Sequence, residues 1–167
     1  MTEKIMFVDE NDQPIGAGDR REAWTGGMHV RIVRAILRDE NGRILSQRRS
    51  ALKPSYPNRW SDSVSGHVDE GETYDVAMAR EMKEEINLET DLRFIGKFES
   101  MDIQGEYTIR EFNAIYEGTI DSNTQLDLEP TEVTEVKWFE INELKSLIAN
   151  GPEVFTPGFR EAIRRYY

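Results

Sequence analysis

Hydrophobic residues recur along this chain in short runs that alternate with turn residues, and the pattern predicts a protein built mainly from strands. Val30–Leu37 (VRIVRAIL) is rich in β-branched residues, which favour a central strand. The Asn41-Gly42 pair that follows is typical of a hairpin turn and predicts a return strand over Arg43–Gln47. Further strands are predicted over Lys4–Val8, Ser61–Val68, Leu92–Ser100, Ile109–Glu117 and Val133–Phe139.

Other segments have the spacing of amphipathic helices. The clearest is Tyr74–Ile86, with Thr73 as its N-cap. Asn87 follows this helix, and Asn readily adopts the left-handed conformation that ends many helices. Two more helices are predicted over Asn142–Ala149 and Gly158–Tyr166. Strands interleaved with helices in this order predict an α/β fold with a mixed sheet.

Length and composition limit the kind of protein further. The 167 residues suit one domain, in which residues 1–28 are expected to form an N-terminal strand and hairpin extension. The net charge of −11 disfavours a nucleic acid polymer as partner, because phosphate backbones need a basic surface. The absence of cysteine excludes a disulfide framework and a thiol nucleophile. No apolar run is long enough for a signal core or a membrane helix, so we expect a cytoplasmic protein.

Residues 66–88 (GHVDEGETYDVAMAREMKEEINL) combine a glycine-containing turn with an acidic helix. Glu81, Glu84 and Glu85 fall on one helix face, where each like-charged pair three or four residues apart destabilises the helix by roughly 0.2–0.5 kcal/mol. A hard divalent cation such as Mg²⁺ or Mn²⁺ would turn this repulsion into coordination. Three glutamates alone would favour a solvated acidic face, but the long regular spacing of the whole segment favours a metal site.

This spacing resembles the Nudix box, G-x5-E-x7-R-E-U-x-E-E-x-G-U, where U is a large apolar residue. Asn87 replaces the second glycine and is the one departure from the pattern. The resemblance implies an α/β/α sandwich on a mixed sheet. It also implies a hydrolase that uses Mg²⁺ or Mn²⁺ to cleave the diphosphate linkage of a nucleoside diphosphate derivative.

The resemblance to the box further implies a role for each matching residue. Glu81, Glu84 and Glu85 would bind the metal or act directly as acid or base, and the carbonyl of Gly66 would face the metal. Glu72 and Arg80 would pair and brace the loop against the helix. The implied catalytic residues are therefore Glu72, Arg80, Glu81, Glu84 and Glu85.

Most of residues 5–140 resemble the branch of the Nudix superfamily that contains isopentenyl diphosphate isomerase. The stretch VRAILRDENGRILSQRRSALKPSYPNRWSDSVSGHVDEGET carries this likeness. In the isomerase, a cysteine that transfers protons stands at the position of Ser65, and a serine hydroxyl is a far weaker acid. The isomerase also uses several histidines, whereas this chain has only His29 and His67. We therefore favour a hydrolase, with an isomerase-like enzyme and a non-catalytic nucleotide-binding domain as alternatives.

The resemblance to the isomerase branch places Arg49 and Lys53 at diphosphate-binding positions. His67 is either a ligand or a residue that only orients its loop. These three residues are the expected substrate-binding group, and the expected partner is a small-molecule diphosphate.

The sequence leaves two questions open. The general base is either Glu81 or a glutamate outside the box, with Glu111, Glu132 and Glu135 as the outside candidates. The basic face of the last predicted helix is either solvated or a contact in a homodimer. Its arginines are Arg160, Arg164 and Arg165.

Overall fold

The computed structural model describes residues 3–167, which form nine strands, four α-helices and one short 3₁₀ turn. The strands are β1 (Ile5–Val8), β2 (Pro14–Gly18), β3 (His29–Arg38), β4 (Ile44–Arg49), β5 (Trp60–Ser61), β6 (Val64–His67), β7 (Arg93–Gln104), β8 (Tyr107–Thr119) and β9 (Val133–Phe139). The helices are α1 (Arg20–Gly26), α2 (Tyr74–Ile86), α3 (Ile141–Asn150) and α4 (Pro157–Tyr166), and the 3₁₀ turn is Pro152–Val154.

Strand β3 is the centre of a mixed sheet. One of its edges runs parallel to β8, from His29 opposite Arg110 to Arg38 opposite Thr119. Its antiparallel partners β1, β6 and β4 follow one another along the strand. Strand β7 pairs with β8, and β9 pairs with β4. The predicted α/β fold with a mixed sheet is confirmed.

The predicted hairpin over residues 30–47 is only partly correct. The chain reverses at Gly42, whose φ of 79° suits the predicted tight turn. However, β3 and β4 pair only where Arg38 lies opposite Ile44, because β6 and β1 take the rest of that β3 edge. Strand β4 instead pairs along its length with β9. Local turn residues thus predicted the reversal, whereas pairing with distant strands decided the partner.

Helices cover both faces of the sheet, as the α/β/α sandwich requires. On β3, alternate side chains point to opposite faces, so Val33, Ala35 and Leu37 pack with α2, whereas Ile36 faces α3 and α4. The α2 side of the core contains Ala77, Met78, Met82 and Ile86. The opposite side contains Leu144 of α3 and Phe159, Ala162 and Ile163 of α4.

Helix α1 was not predicted, because residues 1–28 were interpreted as a strand and hairpin only. The hairpin is present as β1 and β2, and α1 follows it. Asp19 caps α1 by accepting a hydrogen bond from the Glu22 amide at 2.7 Å, and Gly27 ends it with a φ of 63°. With only Ala23 and Trp24 buried, this short helix carries too few apolar residues to show helical periodicity. None of the described helices is long and apolar enough to cross a membrane.

Candidate active site

A cleft of about 870 Å³ lies between α1, β6, α2, β8 and the loop after β4. It brings together most of the residues that the sequence singled out. Those that line it are Arg49, Lys53, Gly66, His67, Arg80, Glu81, Glu84 and Glu85. Glu72 lies next to the cleft, in contact with Arg80.

Local interactions fix α2 beside the cleft. The Thr73 hydroxyl accepts a hydrogen bond from the Val76 amide at 3.3 Å, and Asn87 ends the helix in the left-handed conformation with a φ of 50°. Arg80 donates two hydrogen bonds to Glu72, both at 2.8 Å. It also donates to the carbonyl of His67 at 2.9 Å. Arg80 therefore ties the loop after β6 to the helix, which holds the acidic face in position.

The three box glutamates differ in exposure. Glu85 is buried and accepts hydrogen bonds from the Gln47 amide group at 2.9 Å and the Ser65 backbone at 3.3 Å. Glu81 lies against Gly66, where a Cβ atom would approach a Glu81 carboxylate oxygen to 2.1 Å. Glycine at this position therefore makes room for the carboxylate. Glu84 is the most exposed of the three.

Burial and repulsion shift the acidity of two of these glutamates. Burial raises the pKa of Glu81 to about 7, despite the opposing charge of Arg80. Burial, together with the negative charge of Glu81, raises the pKa of Glu85 to about 8. Such shifts indicate a carboxylate cluster with too little positive charge nearby, which is the condition that favours binding of a cation.

The donor set fits a hard divalent cation, since it consists of carboxylate oxygens beside a backbone turn. Among residues 3–167, however, no three acidic or histidine side chains already converge on one point. Glu81 and Glu84 instead share Arg80, whose Nη1 atom lies 2.7 Å and 3.2 Å from their carboxylates. To hold Mg²⁺ or Mn²⁺, these two side chains would have to turn away from Arg80.

Cationic and polar groups line the other side of the cleft. Arg49 donates to the Ser55 carbonyl at 3.0 and 3.1 Å, and Lys53 pairs with Glu132. Burial and the neighbouring charge of Arg20 hold the pKa of His67 well below its usual range, so its ring is neutral. Its Nε2 atom is buried without a hydrogen-bond partner.

Helix α1 contributes residues to the cleft that are not among the predicted site residues. The Nε atom of Arg20 and the indole Nε1 of Trp24 are buried without partners, as is His67 Nε2. Trp24 contacts Tyr107 with 5.7 Å between ring centroids. The Asp19 N-cap was the one local signal that could have revealed this helix. The apolar wall of the cleft consists of Ile5, Trp24, Ile32, Tyr107 and Ile109.

A buried ionic network lies at the base of the cleft, and it too was not predicted. Arg34 donates to Asp62 at 2.6 Å, to Asn113 at 2.8 Å and to Glu111 at 3.3 Å. Burial disfavours the charge of Arg34, but Asp62 and Glu111 outweigh it and raise its pKa. Burial raises the pKa of Glu111, although Arg34 opposes this shift.

The structure separates the three outside candidates for the general base. Glu111 and Glu132 line the cleft, whereas Glu135 does not. Glu135 pairs with Arg48 at 3.1 Å, and both side chains are about half exposed. Glu132 is engaged by Lys53. Glu111 and Glu132 therefore both remain outside candidates, each lining the cleft and paired with one cation, and Glu111 is the less exposed of the two.

Comparison with known proteins identifies the family. Residues 28–159 match the NUDIX domain. A prenyl-diphosphate phosphatase from Methanosarcina mazei is 34% identical, over 98% of this chain and 94% of the relative. A Nudix hydrolase from Deinococcus radiodurans is 32% identical, over 99% of this chain and 94% of the relative. An isopentenyl-diphosphate Delta-isomerase from Photorhabdus laumondii is 30% identical, over 98% and 92%.

A crystal structure from Deinococcus radiodurans matches the fold with a TM-score of 0.83, at 31% identity and over 99% of each chain. These matches cover the fold and the cleft together, and they confirm the resemblance to the isomerase-like branch in a chain that has no cysteine. The chain therefore belongs to the Nudix family, as a hydrolase that acts on diphosphate linkages.

Proposed function

We propose that this chain is a divalent-metal-dependent hydrolase of a small organic diphosphate, with a prenyl diphosphate as its first candidate substrate. One observation carries this proposal: a single cleft joins a carboxylate cluster, cationic groups and an apolar wall. A prenyl diphosphate has a matching layout, because a charged diphosphate is attached to a hydrocarbon chain.

The residues of the cleft would have distinct roles in metal binding and in positioning the acidic helix. Glu81, Glu84, Glu85 and the Gly66 carbonyl would hold Mg²⁺ or Mn²⁺. When bound, such an ion neutralises phosphate charge and lowers the pKa of water. Arg80 and Glu72 hold the loop after β6 against the acidic face of α2.

The cations Arg49, Lys53 and Arg20 would bind the two phosphates and stabilise the negative charge that develops during cleavage. The general base would take a proton from the attacking water. Glu81 is suited to this role because its carboxylate lines the cleft beside the proposed metal site. Glu111 is the alternative base, held in place by Arg34.

The apolar wall supports a prenyl chain as the organic group. Ile5, Ile32 and Ile109 contribute hydrocarbon surface, and burial of an isoprenoid chain against it would favour binding by about 25 cal/mol per Å². The 34% identical relative named prenyl-diphosphate phosphatase supports the same substrate class.

A nucleoside diphosphate derivative is the second candidate. The Trp24–Tyr107 aromatic pair offers a surface on which a base could stack, and the unpartnered Trp24 indole donor could bind a base acceptor. This alternative retains the same diphosphate site and differs only in the organic group that packs against the apolar wall of the cleft.

A substrate panel with Mg²⁺ or Mn²⁺ tests the proposal. We expect dimethylallyl or geranyl diphosphate to release inorganic phosphate and a prenyl monophosphate. We expect slower turnover of ADP-ribose, nucleotide sugars and dinucleoside polyphosphates. Faster turnover of a nucleotide would favour the second candidate. Absence of metal-dependent hydrolysis across the panel would overturn the proposal, and interconversion of isopentenyl and dimethylallyl diphosphate would favour an isomerase.

A further inference from the structure

The arginines of this acidic protein are unevenly paired. Among the described residues, nine of the fifteen arginines have a carboxylate oxygen within 4.0 Å. Of the six without such a partner, Arg20, Arg21 and Arg49 line the cleft already described. Arg59 and Arg160 line a second, smaller cavity of about 440 Å³. Arg110 lines neither cavity.

The second cavity adjoins the first. Tyr56, Asp102 and Pro157 line both, and the Tyr56 hydroxyl donates to Asp102 at 2.5 Å. This hydrogen-bonded pair forms a partition between the two spaces. Asp102 also accepts from the Gln104 side chain at 3.3 Å, so its negative charge is partly satisfied within the wall.

Within residues 3–167, neither of the two arginines of the second cavity has a carboxylate partner within 4.0 Å. The Arg59 guanidinium lies 5.2 Å from the centre of the Tyr56 ring, which holds the group in one orientation. The Nε atom of Arg160 is buried and has no hydrogen-bond partner. A buried donor without a partner costs about 1–3 kcal/mol, and native proteins keep few of them.

The start of α4 lies where the two cavities meet, since Pro157 lines both of them, whereas Thr156 and Gly158 line the main cleft. Pro157 opens this ten-residue helix, and the Thr156 hydroxyl forms a hydrogen bond of 3.0 Å with Ser61 instead of capping it. The amides of the first turn thus lack a side-chain acceptor, and the positive end of the helix dipole lies beside the wall that the two cavities share.

The loop that carries Arg59 is held in a strained shape. Tyr56 and Asn58 have φ values of 50° and 62°, in the left-handed region. Such a conformation at a residue as large as tyrosine costs on the order of 1 kcal/mol and tends to occur at functional sites. Here it places the Tyr56 ring in the partition and Arg59 beside it.

We propose that the second cavity is an oxyanion subsite that takes a phosphate group. Two guanidinium groups without carboxylate partners in the described part of the chain, one of which has an unpartnered Nε donor, and a nearby helix N-terminus match the charge and the acceptor oxygens of phosphate. The phosphate is either free inorganic phosphate, which hydrolysis would release next door, or a phosphate at the far end of a substrate in the main cleft. Binding of phosphate here does not depend on which diphosphate the main cleft cleaves.

Titration of the full-length protein with inorganic phosphate at constant ionic strength tests the subsite. Amide signals of Tyr56, Asn58, Arg59 and residues 158–161 in ¹H–¹⁵N spectra should shift saturably. The double variant R59Q/R160Q should weaken this binding at least about tenfold, and R59K/R160K should restore part of it. R110Q is the matched control, since it removes an arginine that has no carboxylate partner and lies outside both cavities.

Unchanged phosphate affinity in R59Q/R160Q, with native spectra elsewhere, would overturn the proposal. An equal loss in R110Q would overturn it too, because the effect would then reflect net charge. To distinguish the two sources of phosphate, the titration is repeated with the main cleft filled by a methylene-bridged prenyl diphosphate analogue. Continued binding of free phosphate supports the first source, and its displacement by a ligand with a distal phosphate supports the second.

Discussion

Two arginines beside the same cleft are held in opposite ways. Arg80 lies on α2 with its side chain 23% exposed, and it contacts carboxylates of Glu72, Glu81 and Glu84. Arg34 lies within the sheet with its side chain 8% exposed, and it contacts Asp62 and Glu111. Arg80 has more carboxylates around it than one positive charge can neutralise, whereas Arg34 sits among partners that orient all three of its nitrogens.

The contrast separates a labile cluster from a fixed one. The carboxylates around Arg80 can exchange one cation for another, because water reaches the site and the acids retain a deficit of positive charge. The network around Arg34 cannot lose a member without leaving a buried charge unpaired. The first arrangement suits a site that binds a metal and substrate, and the second suits the base on which that site rests.

Removal of the buried arginine should have the largest effect. We expect Arg34→Met to lower the free energy of unfolding by about 3–5 kcal/mol, because Asp62 and Glu111 would remain buried without a cation. Denaturant unfolding measures this loss. Arg80→Met is the comparison variant, and a loss in Arg34→Met no larger than that in Arg80→Met would refute the distinction between fixed and labile clusters.

Neutralisation of the buried box glutamate should act on turnover. Glu85→Gln keeps the shape of the side chain and removes a charge from the proposed metal site. We expect hydrolysis to fall by about 10²–10³-fold, measured as phosphate release with Mg²⁺. Glu135→Gln is a matched control outside the cleft and should retain activity. Comparable loss in both variants would exclude a specific role for Glu85.

The pH dependence of stability should report the same charge deficit. In metal-free protein, folding raises the pKa of Glu81 to about 7 and of Glu85 to about 8. Both groups therefore bind more protons in the folded state than in the unfolded state between about pH 4.5 and 8, so the free energy of unfolding should decrease as pH rises through this window.

A rise of one unit in a pKa corresponds to about 1.4 kcal/mol, so the decrease should amount to several kcal/mol, followed by thermal unfolding across the pH range. Glu85→Gln should flatten the curve, because it removes the group with the larger shift. Saturating Mg²⁺ should also flatten it, since the metal offsets the repulsion. A curve that rises with pH, or that Glu85→Gln leaves unchanged, would contradict these shifted acidities.

Removal of Glu72, a partner of the more exposed Arg80, should have the smallest effect on the free energy of unfolding. Glu72→Gln leaves Arg80 with Glu81 and Glu84, so we expect a loss of about 1 kcal/mol in unfolding free energy. Asp62→Asn, which takes a buried partner from Arg34, should cost more than twice as much. Equal losses in these two variants would show that both clusters are equally rigid.

The same contrast explains what could be predicted from the sequence. Helix α2 and its contacts follow from local spacing, since Arg80 reaches Glu72, Glu81 and Glu84 within eight positions along the chain. The two acidic partners of Arg34 lie 28 and 77 positions away along the chain. Asp62 lies between β5 and β6 and Glu111 lies in β8, and these segments come together only in the sheet. No local pattern marks such a pair before the strand order is known.

Two other differences have related causes. Helix α1 is too short for a periodic pattern, so Arg20 and Trp24 could not be placed in the cleft. The turn at Gly42 was foreseen, but the choice of β9 as the main partner of β4 depends on a strand about ninety residues away. Sequence patterns thus located the acidic side of the cleft, and the family resemblance named Arg49 and Lys53 on its basic side. The contribution of α1 and the apolar side required the tertiary structure.

The parallel pairing of β3 with β8 has a consequence for the order of folding. Helix α2 can form early from local contacts, and it would then present its carboxylates to open solvent. Burial of the Arg34 charge has little net cost only when Asp62 and Glu111 pair with it. Pairing with Glu111 requires β8 to dock against β3, and these strands are far apart along the chain. Docking of β8 and closure of the cleft are therefore expected as one late step, so a chain on its way to the native state would carry the acidic motif well before it could hold a substrate.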